Sequence, residues 1–138
     1  MLSKSNFVWR GMGALLGILG LAVVVAAGAA DDLEGLRVRA EGRWVALIAG
    51  DFDKAYEFET PAYRQLYNTR QYRARYGNGL RWQRAKVVGM EPKSSGVVTV
   101  TLEIDYSFHV SGQGMMDNKG LVTETWLWVD DQWWHQSQ

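Results

Sequence analysis

The sequence of 138 residues contains no cysteine. Disulfides, zinc–thiolate sites, thiol nucleophiles and an acylated lipoprotein cysteine are therefore excluded. The fold must be held together by burial of apolar surface. Seven tryptophans make this feasible, because large aromatic side chains dominate the energetics of protein cores.

Histidine is also scarce, with only His109 and His135 in the chain. The two lie far apart, and no acid-rich loop has calcium-binding spacing, so we predict no metal site. The sequence lacks a glycine-rich phosphate loop, a nucleophile elbow and a helical His-Glu-x-x-His motif. We therefore predict no cofactor and assign no catalytic residue. We expect His135, near the end of the sequence, to be exposed.

Net charge is zero, since 15 basic side chains balance 15 acidic ones. No global field therefore steers the protein toward polyanions. The composition is 47% hydrophobic and 22% charged, which fits one globular domain.

The N-terminal segment, residues 1–30, differs from the rest. Lys4 and Arg10 precede an uncharged apolar run that ends in the small-x-small pattern Ala-Gly-Ala. This pattern is typical of a signal peptide. The run is also long enough for an uncleaved membrane anchor, for which about 20 apolar residues suffice. Both interpretations place residues 31–138 outside the cytoplasm, in the periplasm or on the outer face of the cytoplasmic membrane.

The first half of residues 31–138 has a helical period. Asp31 or Asp32, Asp51 and the pair Thr60-Pro61 are typical helix starts, and Gly50 is a typical stop. We predict helices over 33–48, 52–58, 61–67 and about 69–76.

After Gly79 the period changes to that of strands. We predict strands over 82–90, 98–110, 121–129 and 133–136, separated by a turn at 91–96, a loop at 111–120 and a tight turn at Asp130-Asp131. Helices followed by an antiparallel meander predict an α+β fold, with the N-terminal helices packed on one face of a curved antiparallel sheet.

Three segments carry a resemblance to a known family. They are 43–64 (RWVALIAGDFDKAYEFETPAYR), 97–108 (VVTVTLEIDYSF) and 124–134 (ETWLWVDDQWW). The pattern resembles the nuclear transport factor 2-like (NTF2-like, SnoaL-like) superfamily over nearly all of residues 31–138. The resemblance implies a cone-shaped domain with a pocket between the helices and the concave face of the sheet. It implies no single activity, because this superfamily includes isomerases, cyclases, dehydratases, transport adaptors and secretion-system subunits.

Aromatic residues come from every element of the expected cone. They suit an aromatic-lined pocket for an apolar ligand, and they equally suit ordinary core packing. The candidate pocket residues are Trp44, Phe52, Tyr56, Tyr63, Trp82, Tyr106 and Phe108.

A second set concerns dimers, which the resemblance implies through the outer face of the sheet. Glu124, Trp126 and Trp128 share one face of a strand; if that face is the outer one, it would suit a homodimer interface. Asp105 and His109 lie opposite the apolar set of their own strand, about 13 Å apart, and are too distant to act as a dyad. We expect both to face solvent or a partner.

The segment 63–86, YRQLYNTRQYRARYGNGLRWQRAK, carries seven basic residues and no acidic one. Its tyrosines fall at helical spacing with the arginines largely between them, which is typical of a helix that buries rings and exposes charge. We interpret it as a solvated basic face, with an anionic membrane surface or an acidic protein partner as alternatives, and we do not expect nucleic acid. The basic-face candidates are Arg64, Arg70, Arg73, Arg75, Arg81, Arg84 and Lys86.

Three functions are compatible with these features. The first is an exported, non-catalytic, homodimeric binding module that takes an apolar small molecule or another envelope protein. The second is a small enzyme of the SnoaL or ketosteroid-isomerase type, working by general acid–base chemistry. The third is a membrane-anchored assembly subunit of an envelope complex. A carboxylate within reach of a tyrosine hydroxyl inside the cone would favour the enzyme.

Overall fold

A computed structural model of the protein describes residues 32–138. The signal peptide or membrane anchor predicted over residues 1–30 lies outside this part of the chain. Within the described part, no helix has the length and apolar character needed to cross a membrane.

Four short-to-medium helices come first, as predicted. They are α1 (Leu33–Ile48), α2 (Phe52–Tyr56), α3 (Pro61–Leu66) and α4 (Thr69–Ala74). A side-chain oxygen before each helix accepts a backbone N–H of the first turn, at 3.0–3.2 Å: the caps are Asp32, Asp51, Thr60 and Asn68. These bonds satisfy N–H groups that have no partner inside the helix, so the chain starts each helix where the sequence indicates.

A four-stranded antiparallel sheet follows, in the order β1-β2-β3-β4. The strands are β1 (Arg81–Ser94), β2 (Val97–Val110), β3 (Gly114–Val129) and β4 (Gln132–Gln136). Asp130 and Asp131 join β3 to β4 with φ of 51° and 59°. Two consecutive positive φ angles are what a two-residue hairpin turn requires, and Asp tolerates them. The described chain is therefore α+β, as predicted.

The loop predicted over 111–120 was wrong. β3 begins at Gly114, and its pairing with β2 continues without a break from Val110↔Gly114 onward. The segment 115–120, MMDNKG, has little intrinsic strand preference. The backbone hydrogen bonds to the long strand β2 hold this segment in a strand despite its weak local preference for one.

The sheet has one buried face and one open face. Along β2 every second residue from Val98 to Ile104 is at most 3% exposed. The same buried cluster includes residues of α1, β1, β3 and β4: Leu36, Ala40, Trp44, Leu47, Val87, Trp126 and Trp133. Helix α1 therefore lies on this inner face, which leaves Asp105 and His109 on the open one.

The register of the sheet also places polar residues on the inner face. Glu124 of β3 is opposite Val100, and His135 of β4 is opposite Trp126. The chain before α3 joins the free edge of β4, where Glu59 forms a parallel bridge with His135. This bridge brings Glu59 beside the other two polar residues.

Truncation of the inner face should be costly. We expect Leu102→Ala, at a site with no exposed surface, to lower the free energy of unfolding by about 2–5 kcal/mol, because it removes buried methyl groups and leaves a cavity. Urea denaturation measures the change. Val88→Ala, at a side chain of β1 that is 52% exposed, is the control and should change stability by less than about 0.5 kcal/mol. Equal losses in both variants would contradict the assignment of the two faces.

Candidate functional site

Arg43 is the centre of a buried polar network. It lies on α1 between Ala40 and Leu47, on the stripe that packs against the sheet, and is 4% exposed. A buried guanidinium needs an anionic partner, because removing a charge from water is expensive. Its Nη1 donates to Glu124 Oε1 at 2.7 Å, and its Nη2 donates to the Tyr76 hydroxyl at 2.9 Å.

Glu124 has its carboxylate satisfied by three donors. Its Oε1 accepts from Arg43 and from the indole N–H of Trp44 at 2.7 Å, and its Oε2 accepts from the indole N–H of Trp126 at 3.0 Å. The carboxylate thereby connects α1 to the inner face of β3. The charge of Glu124 raises the pKa of Arg43 above its ordinary value, against the opposing effect of burial.

Glu59 and His135 form the second part of the network. Glu59 is fully buried, and its Oε1 lies 2.8 Å from His135 Nδ1 and 3.5 Å from Arg43 Nε. Burial alone would raise the pKa of Glu59. The hydrogen bond with His135 and the charge of Arg43 outweigh burial, so the pKa is lowered. His135 is 8% exposed, and our expectation of an exposed histidine was wrong.

Two tyrosine hydroxyls complete the network. Tyr72 is fully buried, and its oxygen accepts from the Tyr76 hydroxyl at 3.0 Å. Burial raises the pKa of both phenols, and the nearby charge of Arg43 opposes this only in part. Both hydroxyls therefore stay protonated. Two carboxylates, an imidazole, a guanidinium and two phenols thus meet in one place.

The network opens into a small polar pocket of about 250 Å³. Charged and hydroxyl side chains from α1, β3, β4 and the chain around α4 line it: Arg43, Arg75, Tyr76, Thr123, Glu124, Thr125, His135, Gln136, Ser137 and Gln138. Its walls offer hydrogen bonds and little apolar surface, so the pocket suits a small polar group or water.

A larger apolar groove, of about 820 Å³, adjoins the polar pocket. It runs between α3 and the β3–β4 hairpin and is lined mainly by Pro61, Tyr63, Leu66, Tyr67, Leu127 and Val129. The two cavities share Arg75 and residues 136–138. The guanidinium of Arg75 donates to the Tyr63 hydroxyl at 3.1 Å and to the Gln138 backbone oxygen at 2.7 Å. Groove and pocket are thus neighbouring parts of one cleft.

The seven predicted pocket aromatics do not line one cavity. Tyr63 lines the groove, and Phe52 and Trp82 line a separate open depression of about 570 Å³. Most of the set instead forms a chain of ring contacts through Tyr72 and Tyr76, with centroids 5.2–6.3 Å apart: its members are Trp44, Trp82, Phe52, Tyr56 and Tyr63. Tyr106 and Phe108 pair with each other at 6.2 Å. These rings pack the interior and largely fill the space expected for a ligand.

The proposed dimer face is not on the outside. Glu124 is 6% exposed and Trp126 has no exposed surface, and Trp128 packs against Trp133 at 5.2 Å. All three lie on the inner face of the sheet, on which α1 packs; Glu124 and Trp126 are buried there and Trp128 is half-buried. A surface buried within one chain cannot form an interface with another, so this assignment was wrong.

The seven basic residues separate into two groups. Arg70, Arg73 and Arg75 are exposed on α4 and at its C-terminal end, and Arg81 is exposed at the start of β1. Arg64 instead lies over the Trp134 ring at 5.1 Å. Arg84, on β1, pairs with Asp105 at 2.9 Å, and Lys86 is exposed on the same strand. The tyrosines between them are mostly buried or half-buried, as the helical spacing predicts.

Sequence reasoning missed the network, although part of the signal was there. Arg43 falls on the apolar stripe of α1. Glu124 and His135 each lie two positions from a tryptophan on their strands, and so share its face of the sheet. A charge at a core position of a helix or strand indicates a buried partner. Nothing in the sequence around Glu59 distinguishes it, because its burial depends on the bridge to β4.

Comparison with known proteins gives information on the fold of this chain. No family model matches the chain, and no curated protein matches it. The solution structure of a SEC-C motif containing protein from Rhodopseudomonas palustris is similar over 69% of this chain and 70% of its own, with a TM-score of 0.52 and 17% identity. The crystal structure of an NTF-2 like protein of unknown function from Shewanella oneidensis covers 75% of this chain and 93% of its own, with a TM-score of 0.44 and 13% identity. The first likeness shows a shared fold, and we draw no argument from the second.

The lowered pKa of Glu59 predicts a specific dependence of stability on pH. The unfolded state binds this proton more tightly, with a pKa of about 4.3, so ionised Glu59 stabilises the fold above that pH. The stabilisation is lost as the pH falls through the lower folded pKa. We expect wild type to lose its advantage over Glu59→Gln across this acidic range, measured by urea unfolding from neutral pH to about pH 3.

Glu57→Gln is the matched control, because Glu57 is two residues away with its side chain 60% exposed. Its unfolding free energy should follow wild type closely at every pH. A constant difference between wild type and Glu59→Gln over the whole acidic range would contradict the role of the Glu59 charge.

Proposed function

We propose that the protein is an exported, non-catalytic NTF2-like binding module whose ligand is an apolar small molecule held in the groove between α3 and the β3–β4 hairpin. The groove carries this proposal, because it combines a volume of about 820 Å³ with mainly apolar walls. Ligand sites are typically concave, apolar and of this size, with a few polar groups for orientation. Arg75 and residues 136–138 would supply those groups where the groove meets the polar pocket.

The surface around the groove supports the same conclusion. Leu66 is 74% exposed, Tyr67 45% and Val129 39%, and all three line the groove. Large apolar side chains exposed together mark a binding site more often than a free surface. In the part of the fold formed by residues 32–138, the aromatic chain and the Arg43 network fill much of the interior.

The proposal also includes export of the protein from the cytoplasm and its membership of the NTF2-like superfamily. The basic start, the apolar run and the small-residue ending of residues 1–30 support export. The three sequence segments and the order of helices before an antiparallel meander support the NTF2-like assignment. The homodimer remains a proposal as well, and it would have to use surface other than Glu124, Trp126 and Trp128.

Ligand binding to the groove can be tested by fluorescence. We expect residues 31–138, which include the buried core described above, to bind an environment-sensitive apolar dye. Val129→Asp should weaken that binding roughly tenfold, because it places a charge in the apolar wall. Native mass spectrometry of the protein recovered from its own cells would report the mature N-terminus, any dimer and any retained ligand mass.

Leu121→Asp is the control for that experiment. Leu121 lies on the same strand and is 69% exposed, and it does not line the groove. It should leave dye affinity unchanged. Equal weakening by the two variants, or no saturable dye binding by wild type, would overturn the groove as the binding site.

A second candidate function rests on the buried network. Glu59 lies 2.8 Å from His135 Nδ1, which would orient the ring and leave Nε2 for a proton transfer. His135, Tyr76 and Arg43 all line the polar pocket. This differs from the criterion set above, a carboxylate within reach of a tyrosine hydroxyl, because the imidazole of His135 takes the place of the carboxylate as the acid–base group. The reaction that would fit is removal of a proton next to a carbonyl by His135 Nε2, with the guanidinium of Arg43 donating to the developing oxyanion.

Deuterium exchange distinguishes this candidate from simple binding. If it is correct, wild type will accelerate exchange of the α-protons of small ketones or thioesters in deuterated water, followed by NMR. His135→Gln should slow the exchange roughly 100-fold, whereas His109→Gln, on the open face of the sheet, should not. No acceleration by folded wild type across the panel would rule the candidate out.

A further inference from the structure

We propose that the surface formed by α3, α4 and the chain between them docks on a lipid bilayer with anionic head groups. We call it the α3–α4 surface and define it by Leu66, Tyr67, Arg70, Arg73 and Arg75. This inference goes beyond the ligand groove, since a membrane could bind the surface whether or not the groove is occupied.

The first observation is exposed apolar area. Leu66 is 74% exposed, and Tyr67, the next residue, is 45% exposed. Tyr67 is held in place by ring contact with Tyr63, with centroids 4.8 Å apart. An aliphatic side chain and a tyrosine side by side at a helix end suit the boundary between head groups and acyl chains, where amphipathic rings are enriched.

The second observation is the charge that surrounds this apolar area. No acidic residue occurs between Glu59 and Glu91, although residues 31–138 as a whole carry all 15 acidic side chains against 13 of the 15 basic ones. The basic residues are thus concentrated on one segment of a slightly acidic domain. Juxtamembrane basic residues are each worth about 1 kcal/mol of attraction to an anionic surface.

The third observation is that the arginine side chains of α4 are exposed to solvent. Arg70 and Arg73 are exposed, and neither forms an ion pair within residues 32–138. Arg73 lies over the Phe52 ring at 5.4 Å. Tyr72 between them is fully buried, so α4 is anchored by its ring while its cations face solvent.

Arg75 connects the charged residues of α4 to the apolar side chains of the groove. Arg75 returns from the end of α4 to the Tyr63 hydroxyl at 3.1 Å, and the Tyr63 ring stacks on Tyr67. Arg75 is therefore held beside the apolar side chains that line the groove, and Arg70 and Arg73 add exposed positive charge on α4. Apolar insertion combined with cationic attraction fits a lipid surface better than nucleic acid, whose backbone offers no apolar layer.

Vesicle sedimentation tests the proposal directly, with residues 31–138 so that the apolar N-terminal segment cannot contribute. We expect binding to vesicles of phosphatidylglycerol and phosphatidylcholine, weaker binding to phosphatidylcholine alone, and a loss of binding with added salt. The double variant Arg70→Glu/Arg73→Glu should lower the partition coefficient at least roughly 25-fold, about fivefold for each positive charge removed. Leu66→Asp should also weaken binding.

The controls separate a local surface from overall charge. Lys86→Glu makes the same type of charge reversal on β1, away from the α3–α4 surface, and Leu121→Asp adds a charge at an exposed leucine of β3. Both should retain most of the binding. Equal loss in the controls and in the surface variants, equal binding to neutral and anionic vesicles, or no binding of wild type would each overturn the proposal. Dye binding to the groove is measured without vesicles, so a failure here leaves the groove proposal standing.

Discussion

The ion pair between Arg43 and Glu124 is the interaction on which the rest of the structure depends. It joins α1 to the inner face of β3 through a contact of 2.7 Å, and Trp44 and Trp126 donate to the same carboxylate. Two charges buried without each other would each cost several kcal/mol. Since both are satisfied only when the helix lies on the sheet in one position, the pair specifies how the two layers dock. Glu59, His135 and Tyr76 are then positioned around the same guanidinium.

This arrangement has a consequence for where ligands can bind. In the described part of the chain, the inner face of the sheet is occupied by α1, by the aromatic contacts and by the polar network. Of the cavities described above, the one of about 820 Å³ lies at the margin, where α3 approaches the β3–β4 hairpin. Function is therefore expected at the rim of the fold. Concave surfaces at such margins carry binding sites in many folds, because loops and short helices there vary without disturbing the core.

Buried charge and exposed charge have different meanings in this protein. The arginines of segment 63–86 drew attention in the sequence because they are numerous, yet most of them lie on the surface. Among residues 32–138 one arginine is buried, Arg43; it lies outside that segment and organises the core. A group of many charged residues indicates the surface on which a protein meets its surroundings. A single charged residue at an otherwise apolar position indicates a structural or chemical role. The binding, acid–base and membrane proposals follow from this division.

Local sequence signals determined the four helix starts, the alternation along β2 and the α+β class, because caps, turns and period act over a few residues. Tertiary structure alone decided the rest. The strand over 114–120 exists because β2 pairs with it, and Trp126 is buried because α1 packs on the inner face of the sheet. Glu59 lies beside His135, 76 positions away in sequence, because a parallel bridge joins the chain before α3 to β4. Such contacts depend on how layers meet, and a one-dimensional pattern does not specify which layer covers which face.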